Sequence, residues 1–218
     1  LFYFAFSFFN YTMDSLSKDT STEEKIKSAA RKIFTKKGFA ATRTRDIAAE
    51  AGINLALLNY YFRSKEKLFN IVMLENFGQF VSGLKAVVND KKTQLGEKID
   101  AIVELYINQL SENPDLPLFI LNEVRSNPKT LKTGGLTKEM LLKSQFMLQL
   151  TEELKQNKKT DLNPLHLVIN IFSMTIFPFV AAPLILKVAN LSNQDFRLMM
   201  EERKSLIPQW LKKMLLNK

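Results

Sequence analysis

Apolar residues recur at helical spacing along most of the chain. Ile26, Ala29, Ala30, Ile33 and Phe34 share one face of a helix that runs to Gly38, a residue type suited to a C′ position. Ser21-Thr22-Glu23-Glu24 fits the capping box that would open it, in which Ser and Glu satisfy N–H groups reciprocally. A second, shorter helix is predicted over about Arg45 to Ala51, capped by Thr44, with Asp46 in its positive first turn. A third follows the break at Gly52, over about Leu55 to Tyr61, capped by Asn54. Ser64 then caps a long fourth helix carrying Leu68, Ile71, Val72, Phe80, Val81, Leu84 and Val88 on one side.

The same periodicity continues downstream. Ile99, Ile102, Val103, Tyr106 and Leu110 mark a helix ended by Asn113-Pro114, and Leu116 to Ser126 is a short one bounded by Asn127-Pro128. Gly134-Gly135 breaks the chain before a single helix from about Thr137 to Gln156. Asn163-Pro164 opens an almost wholly apolar run from Leu165 to Leu186, which Pro178 and Pro183 should break into pieces. Ser192-x-x-Asp195 caps a last amphipathic helix carrying Phe196, Met199, Met200, Ile207, Trp210, Leu211 and Met214, kinked at Pro208. No strand-like alternation and no internal repeat interrupts this series. The expected fold is all-α, with about nine helices.

Leu1 to Phe9 departs from the pattern. LFYFAFSFF holds five of the chain's 17 Phe, yet it is too short for a bilayer span, which needs ~20 apolar residues. It lacks the basic n-region and cleavage site of a signal peptide, and Met13-Asp14-Ser15 reads as a natural start. Residues 1–20 are therefore expected to be an extension outside the fold. A second reading, an interfacial anchor or a pairing strand, stays open.

Composition narrows the chemistry. With seven Gly and seven Pro in 218 residues, turns are too few for a fold of many short strands. Cysteine is absent and His166 is the lone histidine, which removes thiol nucleophiles, disulfides, zinc ribbons, His-based metal clusters and any Ser-His-Asp triad on a second histidine. The sequence has no phosphate-cradling Gly loop, H-E-x-x-H or G-x-S-x-G. Glu23-Glu24, Glu152-Glu153 and Glu201-Glu202 are adjacent on helices, so the members of each pair do not face each other. No enzyme activity, cofactor or metal site is expected. The net charge of +9 points toward a polyanion, and its distribution says more than its size. Residues 18–70 hold 12 Lys and Arg against 6 Asp and Glu, a net +6, and the remaining residues hold 19 against 16, a net +3.

That basic segment surrounds a spacing-specific motif. Two helices that cross closely need a small residue on the first, supplied by Ala48, and a turn residue tolerant of positive φ, supplied four positions later by Gly52. Ile47, Ala51, Ile53, Leu58 and Tyr61 supply the apolar plugs of the shared core. The arrangement is a helix-turn-helix, and the polar positions of its second helix face where a DNA major groove would lie.

Ala30, Phe34, Gly38-Phe39, Thr42, Thr44, Asp46-Ile47-Ala48, Ala51-Gly52-Ile53, Asn59-Tyr60-Tyr61-Phe62, Ser64-Lys65-Glu66 and Leu68 together resemble the N-terminal domain of the tetracycline-repressor (TetR) family. The resemblance covers about Glu24 to Phe69, and the rest of the chain is similar in length and helical layout only. It implies a DNA-binding domain over 21–66 and a ligand-binding and dimerisation domain over 67–218. It further implies that Thr44 gives its hydroxyl and N–H to a phosphate at a helix N-terminus. Asn54, Leu55, Ala56 and Leu57 would begin the recognition helix, Tyr60 would contact a phosphate or a thymine methyl with Tyr61 beside it, and Lys65 would hold a phosphate. Position 55 is Leu where the family often has Lys or Arg, Ala56 stands where Gly is common, and Asn59 replaces a frequent Tyr. The recognition helix is thus poor in side chains for bidentate base readout. Asn54 and Asn59 are left for adenine, Leu55 or Leu57 for thymine methyls, and Arg43 and Arg45 for the flanks. For Tyr61 a core role and for Asn54 a purely capping role stand beside these.

In the C-terminal two-thirds the family pattern implies a ligand chamber and a homodimer interface. Phe119, Phe146, Met147, Phe172, Met174, Phe177 and Phe179 are candidate lining for an apolar effector, or plain core. Leu167, Ile171, Met199, Trp210 and Met214 are candidates for the dimer face, because Leu165 to Leu186 is too apolar for an exposed side and needs cover. His166 reads as a satisfied or interface histidine. The function expected is a cytoplasmic, ligand-responsive regulator, by family habit a repressor, that binds a palindromic operator as a homodimer and has no stable membrane span. The alternatives are a membrane- or lipid-associated helical protein and a DNA-binding protein without an effector.

Overall fold

The computed structural model describes residues 2–126 and 137–216, with side-chain surroundings from residue 21 onward except at 123 and 216. The expected breaks at Asn127-Pro128 and Gly134-Gly135 lie outside the described residues. Among the described residues every regular element is a helix. The first four are α1 (Phe2–Ala41), α2 (Thr44–Ala51), α3 (Leu55–Phe62) and α4 (Lys65–Asn89). Then follow α5 (Leu95–Glu112), α6 (Leu116–Ser126), α7 (Lys138–Leu142), α8 (Gln145–Gln156), α9 (Leu165–Val180), α10 (Ala182–Val188) and α11 (Asn193–Leu216). The chain divides into two compact units between Leu74 and Glu75.

In the N-terminal unit, α1 begins well before the expected capping box. No Gly or Pro stands between Phe2 and Thr20 to stop a helix, so Ser21 lies inside one and Glu24 pairs with Lys27 at 2.6 Å instead. The helix breaks at Gly38, whose φ of 72° other residues rarely adopt. Two side chains then secure the backbone beyond the break. Thr42 Oγ1 donates to the Gly38 carbonyl at 2.7 Å, and Lys65 Nζ donates to the carbonyls of Phe39 at 2.9 Å and Thr42 at 3.1 Å. Ile26, Ala30, Ile33, Phe34, Ile47, Leu58, Phe62 and Leu68 are buried, with the Phe34 ring edge-on to Phe69 at 5.0 Å.

In the C-terminal unit, α5 turns Leu95, Ile99, Ile102, Val103, Tyr106, Ile107 and Leu110 inward and packs on α8, α9 and α11. The predicted helix over 137–156 is two helices. Ser144 ends α7 by donating to the Leu141 carbonyl at 2.8 Å and opens α8 by accepting from Met147 N at 3.1 Å. The apolar run after Pro164 is also divided, but at Ala181 rather than at Pro178, with a bend of 66° between α9 and α10. Pro178 sits inside α9 without breaking it, because the carbonyl it deprives of a helical donor finds another. Arg203 Nη2 from α11 donates to the Met174 carbonyl at 2.9 Å. α11 likewise continues through Pro208.

By length and hydropathy alone, α4 matches a bilayer span, as does the bent pair α9–α10. Yet α4 buries Leu68, Phe69, Val72, Met73, Phe77, Phe80, Val81 and Leu84 against protein, and α9 buries Leu167, Val168, Ile171 and Phe179.

Candidate DNA interface and ligand chamber

The turn between α2 and α3 is a Schellman ending. Gly52 takes φ 66° and ψ 33°, its N–H donates to Ala49 O at 3.2 Å, and Ile53 N donates to Ala48 O at 3.0 Å. Ala48 and Ile47 are buried beneath this turn, Leu58 and Phe62 anchor α3 from the other side, and Ala51, Ile53 and Tyr61 are half-buried. Asn54 caps α3 by accepting from Leu57 N at 2.8 Å. The anchored face of α3 leaves Leu55, Ala56, Asn59 and Tyr60 in solvent, with Tyr60 75% exposed and Leu57 half-buried. Tyr61 stands edge-on to Tyr60 at 5.4 Å, so it props the exposed ring.

The start of α2 differs from expectation by one residue. Arg43 occupies the N-cap position and Thr44 is the first helical residue, half-buried. Arginine offers no acceptor, so the capping is done by Asp46, whose carboxylate accepts from Arg43 N at 3.4 Å and from Lys37 Nζ at 2.9 Å. The Lys37 hydrogen bond leads in holding the Asp46 carboxyl below its ordinary range. Among the described residues the N–H groups of Thr44 and Arg45 have no acceptor, as first-turn N–H groups do not within a helix. Lys32 pairs with Glu50 and Lys37 with Asp46, whereas Arg43, Arg45 and Arg63 form no ion pair among the described residues. Lys65 also bonds within the N-terminal unit. Two of its three donors are taken by the Phe39 and Thr42 carbonyls, and its ammonium lies 4.2 Å from the Phe39 ring centre.

Two apolar cavities that share part of their walls lie among the described residues of the C-terminal unit. One, of about 230 Å³, sits among α4, α5, α6 and α9 and is walled by Phe77, Phe80, Leu116, Ile120 and Ile176. The other, of about 260 Å³, is walled by Val88, Met140, Phe146 and Ile171. Tyr106 and Phe172, their rings 5.5 Å apart, line both. Of the candidate lining residues, Phe146 and Phe172 therefore reach a cavity. Met147 is buried away from both, Phe179 packs edge-on to Phe196 at 5.8 Å, and Phe119 is half-buried outside the walls. Met174 contributes its carbonyl to Arg203, and Phe177 is 62% exposed. Tyr106, Phe77 and Phe80 are apolar positions of their helices, but nothing in the sequence distinguishes a cavity wall from close-packed core.

Two of the expected dimer residues lie elsewhere. Leu167 and Ile171 are buried inside the chain, because that side of α9 packs on α5. The exposed apolar residues of α9 are Leu165, Ile169 and Phe177, spaced by multiples of four on one stripe. Leu184 and Val188 on α10 and Leu198 on α11 are also exposed. Met199 is half-buried, Trp210 and Met214 are partly exposed, and His166 is exposed.

The model of bacterial regulatory proteins of the tetR family matches residues 26–72, the stretch that contains this helix-turn-helix. The HTH-type transcriptional regulator RutR of Escherichia coli O157:H7 is 30% identical over 171 residues, covering 75% of this chain and 77% of RutR. The probable HTH-type transcriptional regulator YttP of Bacillus subtilis (strain 168) is 27% identical over 163 residues, covering 73% of this chain and 78% of YttP. A TetR/AcrR family regulator from Thermobifida fusca YX-ER1 shares the fold with a TM-score of 0.59 at 19% identity, over 89% of this chain and 96% of its own. FadR of Bacillus subtilis, crystallised with stearoyl-CoA, does so with a TM-score of 0.52 at 19% identity, over 84% and 96%. A helix-turn-helix joined to a cavity-bearing helical unit defines a DNA-binding transcriptional regulator. The chain belongs to the TetR family, whose members bind operator DNA as dimers and respond to small ligands.

Proposed function

We propose that the protein is a cytoplasmic repressor that grips a palindromic operator through α3 as a homodimer and is released by a small, largely apolar effector. It acts by binding and not by catalysis. The observation that carries the reading is the two-sided character of α3: Leu58 and Phe62 fix it to the unit while Leu55, Ala56, Asn59 and Tyr60 are exposed. Thr44 and Arg45, with open N–H groups at the start of α2, are suited to a phosphate, and Arg43 and Arg63, outside any ion pair among the described residues, to its neighbours. Asn59 is suited to an adenine edge and Leu55 and Tyr60 to thymine methyls, which favours an A/T-containing half-site. Lys65 positions the helix-turn-helix against the end of α1 and keeps one donor for a phosphate.

The exposed stripe Leu165, Ile169 and Phe177, with Leu184 and Leu198, is assigned to the dimer face. Two recognition helices must lie about 34–36 Å apart to enter successive major grooves. The chamber on Tyr106 and Phe172 is assigned to the effector, and α4 belongs to both units, so a ligand that prefers another setting of α4 lowers DNA affinity by its differential binding. Fluorescence anisotropy on upstream DNA tests this. Affinity should fall steeply with salt, as phosphate contacts require, and fall again when cellular apolar extract is added. Binding indifferent to salt would remove the phosphate contacts, and binding indifferent to every extract would remove the effector.

A further inference from the structure

Two polar side chains of the chamber, those of Tyr106 and Gln109, have no hydrogen-bond partner among the described residues. Tyr106 is 5% exposed and lines both cavities, and among the described residues its hydroxyl has no hydrogen-bond partner. Buried tyrosine hydroxyls ordinarily find one. Gln109 lies three residues on, hence on the same face of α5, and lines the first cavity. Its side-chain amide also bonds to nothing among the described residues. Among the described residues no charged side chain lines the first cavity, and Lys138, which lines the second, is exposed. Burial pushes the Tyr106 phenol well above its usual range, so it stays a neutral donor and acceptor at any physiological pH. Each cavity alone falls below the ~300–1,000 Å³ usual for small-molecule sites, whereas the pair falls inside that range.

We infer that Tyr106 is the polar anchor of the effector, and that the effector is an uncharged, elongated apolar molecule with one carbonyl or hydroxyl group, lying across both cavities. Gln109 is its second hydrogen-bonding partner. A carboxylate beside Tyr106 and Gln109 in the first cavity would lose its hydration with no countercharge among the described lining residues, which disfavours it. The inference rests on reading the chamber as the effector site.

The test uses three probes of equal chain length on the full chain: 2-nonanone and nonane by headspace partition, and nonanoate by calorimetry. The wild type should bind 2-nonanone more tightly than either other probe. Tyr106→Phe, which keeps the ring and removes only the hydroxyl, should weaken 2-nonanone about 3- to 10-fold, the size of one net hydrogen bond, and leave nonane unchanged. Gln109→Leu should weaken 2-nonanone by less and likewise spare nonane. Equal 2-nonanone affinity in wild type and Tyr106→Phe, or tighter binding of nonanoate than of the ketone, overturns the anchor and leaves the effector chamber standing. Failure of all three probes to bind the wild type overturns the anchor and the chamber together.

Discussion

Gly52 shows what a single residue contributes at the turn of the motif. A Cβ there would meet nothing within 4 Å, so its constraint is the φ of 66° and not space. Gly52→Ala should cost about 1 kcal/mol, the left-handed penalty of an L-residue. Gly78, inside α4, also has nothing within 4 Å of an added Cβ and carries no positive φ. Gly78→Ala should therefore stabilise by about 1 kcal/mol through helix propensity. Thermal unfolding of the two variants should move in opposite directions. Asp46 supplies a pH-dependent counterpart. Its folded pKa lies below the ordinary carboxyl value, led by the Lys37 hydrogen bond, so its stabilisation is full above the unfolded pKa of ~3.9. It is lost as pH falls through the lower folded value. The difference in melting temperature between wild type and Asp46→Asn should be largest near neutrality and shrink below pH ~4.

Among the elements, α9 and α11 depend on each other through one exchange. Pro178 removes a helical N–H, and Arg203 replaces it at the Met174 carbonyl. Arg203→Met should cost about 1–3 kcal/mol by leaving that carbonyl orphaned. The same change in a Pro178→Ala background should cost less, since alanine restores the helical N–H that proline lacks. Chemical denaturation of the double-mutant cycle measures the coupling, and additive losses would contradict the account.

The elements also show where a sequence is informative. The Ala48–Gly52 spacing, the Asn54 cap and the Ser192–Asp195 box are legible because each is a local interaction within four residues. Asp195 N donates to Ser192 Oγ at 3.1 Å, and Ser192 N to Asp195 Oδ2 at 2.9 Å. Ser144 dividing 137–156 is not legible, because a serine within a helical pattern is also compatible with an unbroken helix. The inner and outer sides of α9 cannot be told apart by pattern, since a helix apolar on most sides has no preferred face. For that reason Leu167 and Ile171, expected at the dimer face, turn out to point into the core. The Arg203 contact joins residues 29 apart in sequence, beyond the reach of any local pattern.

For the whole molecule, the charge and the cavities belong to different units. The net +6 over residues 18–70 surrounds the helix-turn-helix, and the two cavities that share Tyr106 and Phe172 lie after Leu74. This division is what a regulator requires if DNA and effector are to occupy separate sites and communicate only by differential binding. The DNA side rests on few polar groups, because α3 carries no charged residue. Asn59→Ala and Tyr60→Ala should each weaken specific binding roughly 5- to 100-fold, the range for loss of one base contact, while melting temperature stays nearly unchanged because both residues are exposed. The most direct measurement is selection of bound duplexes from a random DNA pool with wild type and Asn59→Ala run in parallel. The account predicts a palindromic site for the wild type, with half-site centres about 10–10.5 base pairs or a multiple apart, and relaxed preference at one position of each half-site for the variant. Enrichment of sites without two-fold symmetry, or of identical sites by both proteins, would contradict it.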